Sequence, residues 1–210
     1  MKDEKTFYGV IGIIGTLGVG IGEFLLHYNP VGYGDVEYSF LLTVPEQRTT
    51  IGHFLSVFFL PLYFAGFWSV YLILKESGSR WAKPYFIGAM YVIAIGGVWI
   101  GSRGLLTAMV QAGFSAGLEK YTYYLESLLQ VLRLGILGIS VLFSAIVWSG
   151  KTALPRWMAF FNEIILLLLV FSTLFILPPL SRVLVPSAMN VAHLAFFGAT
   201  TFFSVKKLKE

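Results

Sequence analysis

Phe7-Tyr-Gly-Val-Ile-Gly-Ile-Ile-Gly-Thr-Leu-Gly-Val-Gly-Ile-Gly-Glu-Phe-Leu-Leu26 decides the class of this chain, because Glu23 is its single charged side chain. A helix needs roughly 20 mainly apolar residues to cross a hydrocarbon core of about 30 Å, and this stretch is that long. Ile51–Leu74, Pro84–Thr107, Tyr121–Trp148, Trp157–Leu177 and Pro186–Val205 read the same way. With 57% hydrophobic and 12% charged residues among 210, the composition excludes an ordinary soluble domain. The pattern predicts an all-α polytopic membrane protein: six transmembrane helices forming one membrane-embedded domain over residues 1–210. Splitting Tyr121–Trp148, or making Tyr38–Val44 a span, would give seven, but each piece is too short. No internal repeat is visible, which removes one pointer to an inverted-repeat transporter.

The first apolar run is too long for a signal peptide and no small-x-small cleavage site follows it, so it is read as a retained helix. Placing the N-terminus inside puts Lys2, Lys5, Lys75, Arg80, Lys83, Lys151, Arg156, Lys206, Lys207 and Lys209 on the cytoplasmic side, against Arg48, Lys120 and Arg182 outside. That asymmetry predicts cytoplasmic N- and C-termini. Arg103 and Arg133 fall within spans. The net charge of +4 does not point to nucleic acid, since the positive residues lie between apolar segments and form no patch with interleaved aromatics. Membrane lipids and a small-molecule ligand are the expected partners, with a homo-oligomer left open. The absence of cysteine excludes disulfides, thiolate metal sites and thiol catalysis.

Gly9, Gly12, Gly15, Gly18 and Gly22 lie near one face of the first helix, and Gly97 and Gly101 are four apart on the third. Lipid gives helices no hydrophobic drive to associate, so such faces serve close packing; room for a ligand against bare backbone is the alternative. Pro61, midway along the second helix, is expected to free a carbonyl and kink the chain. The longest connection, 28–50, holds Asn29-Pro30-Val31-Gly32-Tyr33-Gly34-Asp35, which reads as turns, and then the apolar Tyr38–Val44. It is read as a lid or as a short helix resting on the membrane.

Ionisable groups inside a bilayer are costly; they face the bundle interior and mark a site or find a partner. Glu23 and His27 lie one turn apart near the outer end of the first helix, and His53 begins the second at the same level. Trp99 and Arg103 sit near the outer end of the third helix, and Glu126, Gln130 and Arg133 form an i, i+4, i+7 stripe on the fourth. The last helix adds Asn190 and His193. All three histidines, two carboxylates and two arginines thus collect in one half of the bundle, which predicts a polar, outward-facing cavity.

Glu23, His27, His53 and Glu126 are the candidate catalytic groups; Trp99, Arg103, Gln130, Arg133 and Asn190 are the candidate ligand-binding ones. A competing reading has Glu23 and Glu126 neutralising Arg103 and Arg133 as buried ion pairs. Glu23, His27, His53 and His193 carry oxygen and imidazole donors suited to zinc or iron. His193 should lie roughly 10 Å deeper than His27 at 1.5 Å per residue, which weighs against that set and against a bis-histidine haem. Glu163, beside Asn162, is read as snorkelling to the interface or bonded to a neighbouring helix, with a proton-relay carboxylate as the sharper alternative.

Gly20-Ile-Gly-Glu23-Phe-Leu-Leu-His27, Gly52-His53-Phe-Leu-Ser56, Trp99-Ile-Gly-Ser-Arg103 and Asn190-Val-Ala-His193 resemble segments of a bacterial six-helix integral membrane protein family of unknown function. The resemblance covers most of the chain. It implies the bacterial inner (plasma) membrane and brings no activity, substrate or catalytic residue with it. Ceramidase-like hydrolases carry a closely spaced histidine pair on one helix that is absent here, and Glu23, His27 and Glu126 echo the sterol-isomerase-like bundle only superficially. The expected function is binding of a lipid or other amphipathic small molecule, or enzymatic action on one, in the outward-facing pocket. A small proton-coupled transporter and a structural or sensory membrane subunit are the alternatives.

Overall fold

Apolar stretches with so few polar breaks leave the backbone little choice but to bond to itself, and inside a bilayer a helix is the way to do so within one segment. The computed structural model describes residues 2–30, 38–114 and 116–206. The turn residues from Val31 to Asp35, and Lys207 and Lys209, lie outside the described residues. Among those described there is no strand, and eight α-helices carry the fold: α1 (Lys2–His27), α2 (Glu46–Phe59), α3 (Pro61–Lys75), α4 (Ala82–Gln111), α5 (Leu118–Trp148), α6 (Glu163–Ile176), α7 (Pro178–Leu184) and α8 (Ala188–Lys206). Five segments are long and apolar enough to cross a membrane: Glu4–His27, Glu46–Lys75, Ala82–Gln111, Leu118–Trp148 and Pro178–Ser204. The architecture is that of a polytopic all-α membrane protein. Lipid-facing side chains such as Phe175, 88% exposed, and Phe58, 71% exposed, fit that setting.

The expected unbroken helix over Trp157–Leu177 is not formed. A 3₁₀ turn, Arg156–Phe160, is followed by α6, which has 14 residues. At 1.5 Å per residue that is about 21 Å, short of the bilayer core. Asn162 makes the break: its side-chain oxygen accepts the Ile165 N–H at 3.1 Å as an N-cap, and its amide donates to Ser144 Oγ and to the Ala159 carbonyl, each at 3.0 Å. Met158 and Ala159 are buried, so the chain re-enters the bundle beside α5 before α6 begins.

Other boundaries shift for similar reasons. Pro61 has no N–H to donate, and the helix divides there into α2 and α3. The last segment starts at Pro178, with prolines in the first turn of α7, and bends at Pro186 in a 3₁₀ turn, Val185–Ser187, before α8. Tyr38–Val44 folds onto the bundle. It contains a 3₁₀ turn, Ser39–Thr43, whose Leu41 is buried against Leu106 and Leu125, and the Gln111 amide donates to the Leu41 and Val44 carbonyls at 3.0 and 2.7 Å.

The glycines of α1 do what their spacing predicts. Gly22 meets Ser56 and Gly52, Gly18 meets Phe59, Gly15 meets Leu62 and Gly12 meets Gly66, so α1 runs antiparallel along α2 and α3. Gly9 lies against Thr201 and Gly20 against Asn190, which sets α8 antiparallel on its other side. Gly97 packs on Leu60, whereas Gly101 has nothing within 4 Å. The described chain ends therefore share one end of the bundle, where Lys5 pairs with Glu76 and the Ser69 hydroxyl donates to the Lys5 carbonyl at 2.7 Å. Towards that end the core is dense: Phe67–Phe197 and Phe143–Phe196 meet edge-on, both at 5.0 Å between ring centroids. The other half of the bundle is hollow.

Candidate functional site

In that hollow half, α1, α3, α4, α5, α6 and α8 stand around a cavity of about 700 Å³, inside the range of about 300–1,000 Å³ usual for small-ligand sites. Aliphatic side chains such as Val92, Leu132, Ile136 and Leu167 make most of the wall. Its polar groups are Glu23, His27, Tyr38, Tyr63, Trp99, Arg103, Arg133, Asn190 and His193.

Two hydrogen-bonded chains cross this space. Gly20 has no side chain to hold α8 away, and Asn190 comes in against it. The Tyr63 hydroxyl donates to Asn190 Oδ1, and Asn190 Nδ2 donates to Glu23 Oε2, joining α3, α8 and α1. In the second chain Arg103 Nε donates to His27 Nε2 at 3.0 Å. A guanidinium keeps its protons, so Nε2 is the acceptor and the imidazole proton belongs on Nδ1, which faces the Pro186 carbonyl at 3.4 Å. The guanidinium also lies over Trp99 and Tyr38, 5.2 and 5.3 Å from the ring centroids. Arg48 braces the same end by donating to the Leu25 carbonyl at 2.6 Å and to the Tyr28 carbonyl, where α1 would otherwise leave acceptors unpaired.

The Glu–Arg ion pairs of the competing reading are absent among the described residues, where the ion pair present is Lys5–Glu76. Glu126 instead accepts the Tyr38 hydroxyl at 3.0 Å and does not itself line the cavity. Glu23, His27, Trp99, Arg103, Arg133, Asn190 and His193 line the cavity, as their shared depth predicts; His53 and Gln130 do not. His53 packs on Gly104 in a separate pocket with Thr49, Gly101 and Gln111, and Gln130 is exposed on the outer face of α5.

The four-residue metal set is likewise not assembled. Among the described residues no three of His, Cys, Asp and Glu converge on a metal-holding position. His53 is in the other pocket, and the Nε2 lone pair of His27 is directed at Arg103. His193 sits deeper, as expected, with its ring against Tyr63 at 5.2 Å and Phe67 at 5.6 Å. Neither ring nitrogen of His193 has a hydrogen-bond partner, and Trp99 Nε1 has none either, although both groups are buried in the wall. Tyr63 was missed in the sequence because tyrosines are plentiful at both membrane interfaces. Its signal was a position well inside a span, off either aromatic belt.

The segments that build this wall lie at 19–27, 38–40, 60–63, 92–103, 129–136, 164–171 and 185–193, and one family model spans them all. The chain belongs to the family of unknown function DUF6796, matched over residues 1–207. No curated protein and no solved structure matches it.

This DUF6796 chain holds a second polar cluster behind the cavity. Glu163 is fully buried; the Tyr85 hydroxyl donates to its Oε1 at 3.0 Å and the Ser140 hydroxyl to its Oε2 at 3.2 Å. Ser140 Oγ also accepts the Ile164 N–H at 3.2 Å. Glu163 is therefore bonded to neighbouring helices and does not snorkel. It opens α6, where the free N–H groups of a helix start favour negative charge. The sequence reading left Tyr85 and Ser140 out, because nothing one-dimensional sets α4 and α5 at the start of α6.

Proposed function

We propose that this protein binds an amphipathic, lipid-like small molecule within the bilayer, as a binding protein or as an enzyme acting on it. The observation that carries the reading is Arg103, a cation inside a membrane span, supported by His27 and two aromatic rings at the polar end of an otherwise apolar cavity. A charge so placed is retained where it has a use. The apolar wall suits a hydrocarbon chain and the Arg103 end suits a head group. In an enzyme, His193 and Glu23 would be the groups able to exchange a proton with the bound molecule, while His27, engaged with Arg103, positions it. The excess of lysine and arginine at the end bearing the termini supports a cytoplasmic location for them, in a bacterial inner membrane, with the cavity towards the outer face.

Purification of the whole chain in mild detergent, followed by mass spectrometry of extracted lipids and elemental analysis of the same sample, tests this. One amphiphile enriched on the native protein and lost from a folded Arg103→Gln variant is expected. Equal lipid profiles for the two proteins would refute the reading, and stoichiometric zinc or iron would restore a metal-dependent one.

Glu163 favours one second reading, a proton-coupled transporter. It is a buried carboxylate that accepts from the hydroxyls of Tyr85 and Ser140, adjacent in sequence to the cavity-lining Ile164. In proteoliposomes this reading requires substrate-driven proton flux that Glu163→Gln abolishes.

A further inference from the structure

Two of the residues that line the cavity are also exposed: Arg133 on α5 and Phe171 on α6. They lie on the two helices that flank the cavity on this side. The hydrogen bonds that join α5 to α6 and its cap all lie at the start of α6, where Ser140 meets Glu163 and Ile164 and Ser144 meets Asn162. Further along, no hydrogen bond ties the two helices among the described residues; the cavity itself lies between Leu129, Leu132 and Arg133 on one side and Leu167 and Phe171 on the other. The bonds at the start of α6 form a polar hinge, and beyond it the cavity lies between the two helices.

We infer that the seam between α5 and α6 is a lateral portal through which a single-chain amphiphile with an anionic head passes from the bilayer into the cavity, its head drawn past Arg133 to Arg103. The inference rests on the proposed lipid-binding reading and adds to it the charge of the head, the number of chains and the route. Two guanidiniums face one carboxylate, Glu23, in the cavity wall, so the site is one positive charge in excess. Trp99 Nε1–H, beside Arg103 and without a partner, is a donor only and suits an acceptor such as a carboxylate or phosphate oxygen. His193, with both ring nitrogens unpartnered, offers a further polar contact deeper in the wall. A cavity of about 700 Å³ is of small-ligand size and accommodates one chain more readily than the two of a membrane phospholipid.

The chain has no cysteine, so an introduced pair is the sole reactive one. Full-length protein in nanodiscs is titrated with a brominated C18 fatty acid, and quenching of Trp99 reports binding, with Trp99→Phe identifying the signal. We expect saturable quenching by the acid, at least tenfold weaker quenching by the matching fatty alcohol, no competition by inorganic phosphate, and no Trp99-dependent quenching by brominated phosphatidylglycerol. Arg103→Gln should weaken the acid about ten- to a hundredfold, the usual range for a hydrogen-bonded charge. Arg133→Gln changes an exposed residue, so folding is spared, and should slow loading several-fold. Leu129→Cys with Phe171→Cys, joined by a bismaleimide containing a disulfide, should slow loading at least tenfold and recover when the linker is reduced.

Loading at the native rate while linked would overturn the portal and leave the cavity reading standing. Alcohol binding as tight as the acid would overturn the anionic head, and phosphatidylglycerol quenching as strong as the acid would overturn the single chain. If no amphiphile quenches Trp99, the lipid-binding reading fails together with the portal.

Discussion

Glu163→Ala is expected to destabilise the protein by about 2–4 kcal/mol, and Glu163→Gln by no more than about 1 kcal/mol in either direction. The carboxylate accepts from Tyr85 at 3.0 Å and from Ser140 at 3.2 Å with no exposure to solvent. Truncation leaves both hydroxyls without that acceptor, at about 1–3 kcal/mol each for an orphaned buried group in a soluble core. In a membrane the unfolded helices find other partners, and measured bonds average about 0.6 and reach about 1.7 kcal/mol, which holds the pair to roughly 1–3. The void left by the deleted atoms adds about 1 kcal/mol. Ser140 is already anchored through the Ile164 N–H, so Tyr85 is the more dependent partner. Glutamine keeps the shape and one acceptor oxygen, and its amide can donate to a hydroxyl that turns round. Unfolding by SDS in mixed micelles, followed by circular dichroism, measures both variants. A double-mutant cycle with Tyr85→Phe should show coupling of at least about 0.5 kcal/mol. An alanine variant within about 0.5 kcal/mol of native, or a glutamine variant as damaged as alanine, would refute the reasoning.

The same assay checks the helix contacts. Gly12→Val places a side chain against the Gly66 backbone and the Phe197 ring and should cost at least about 2 kcal/mol, whereas Gly101→Ala enters open space and should stay within about 0.5 kcal/mol. Asn162→Ala removes the cap of α6 and should cost about 1 kcal/mol or more; an unchanged midpoint would mean that the break before α6 does not depend on this side chain. For orientation, Ser79→Cys in the α3–α4 turn should resist a membrane-impermeant maleimide in intact cells, and Ala116→Cys in the α4–α5 turn should react. The reverse pattern would invert the topology proposed from the charges.

Level along the bundle was legible in the sequence. Apolar length and the few breaks in it determine how many segments are available to cross, and position along a span determines how far down a residue lies, so seven of the ten candidate site residues named by depth do line one cavity. The glycine spacing on α1 likewise announced close packing before any partner was known. Rotation about each helix axis was not legible. Gln130 and Arg133 belong to one stripe, yet Arg133 reaches the cavity and Gln130 points outward; His53 and His27 share a level, yet each faces a different pocket. Which way a side chain turns depends on what its helix packs against, and here that is decided by contacts such as Gly12 on Gly66 and Gly20 on Asn190. The division of the fifth apolar stretch at Asn162 belongs to the tertiary structure for the same reason, since hydropathy averages over a window and one asparagine hardly moves it, while Ser144 and the Ala159 carbonyl give that asparagine partners. The pairing of Arg103 with His27 could only come from the assembled bundle, because a charge inside hydrocarbon takes whichever polar group the packing brings within reach.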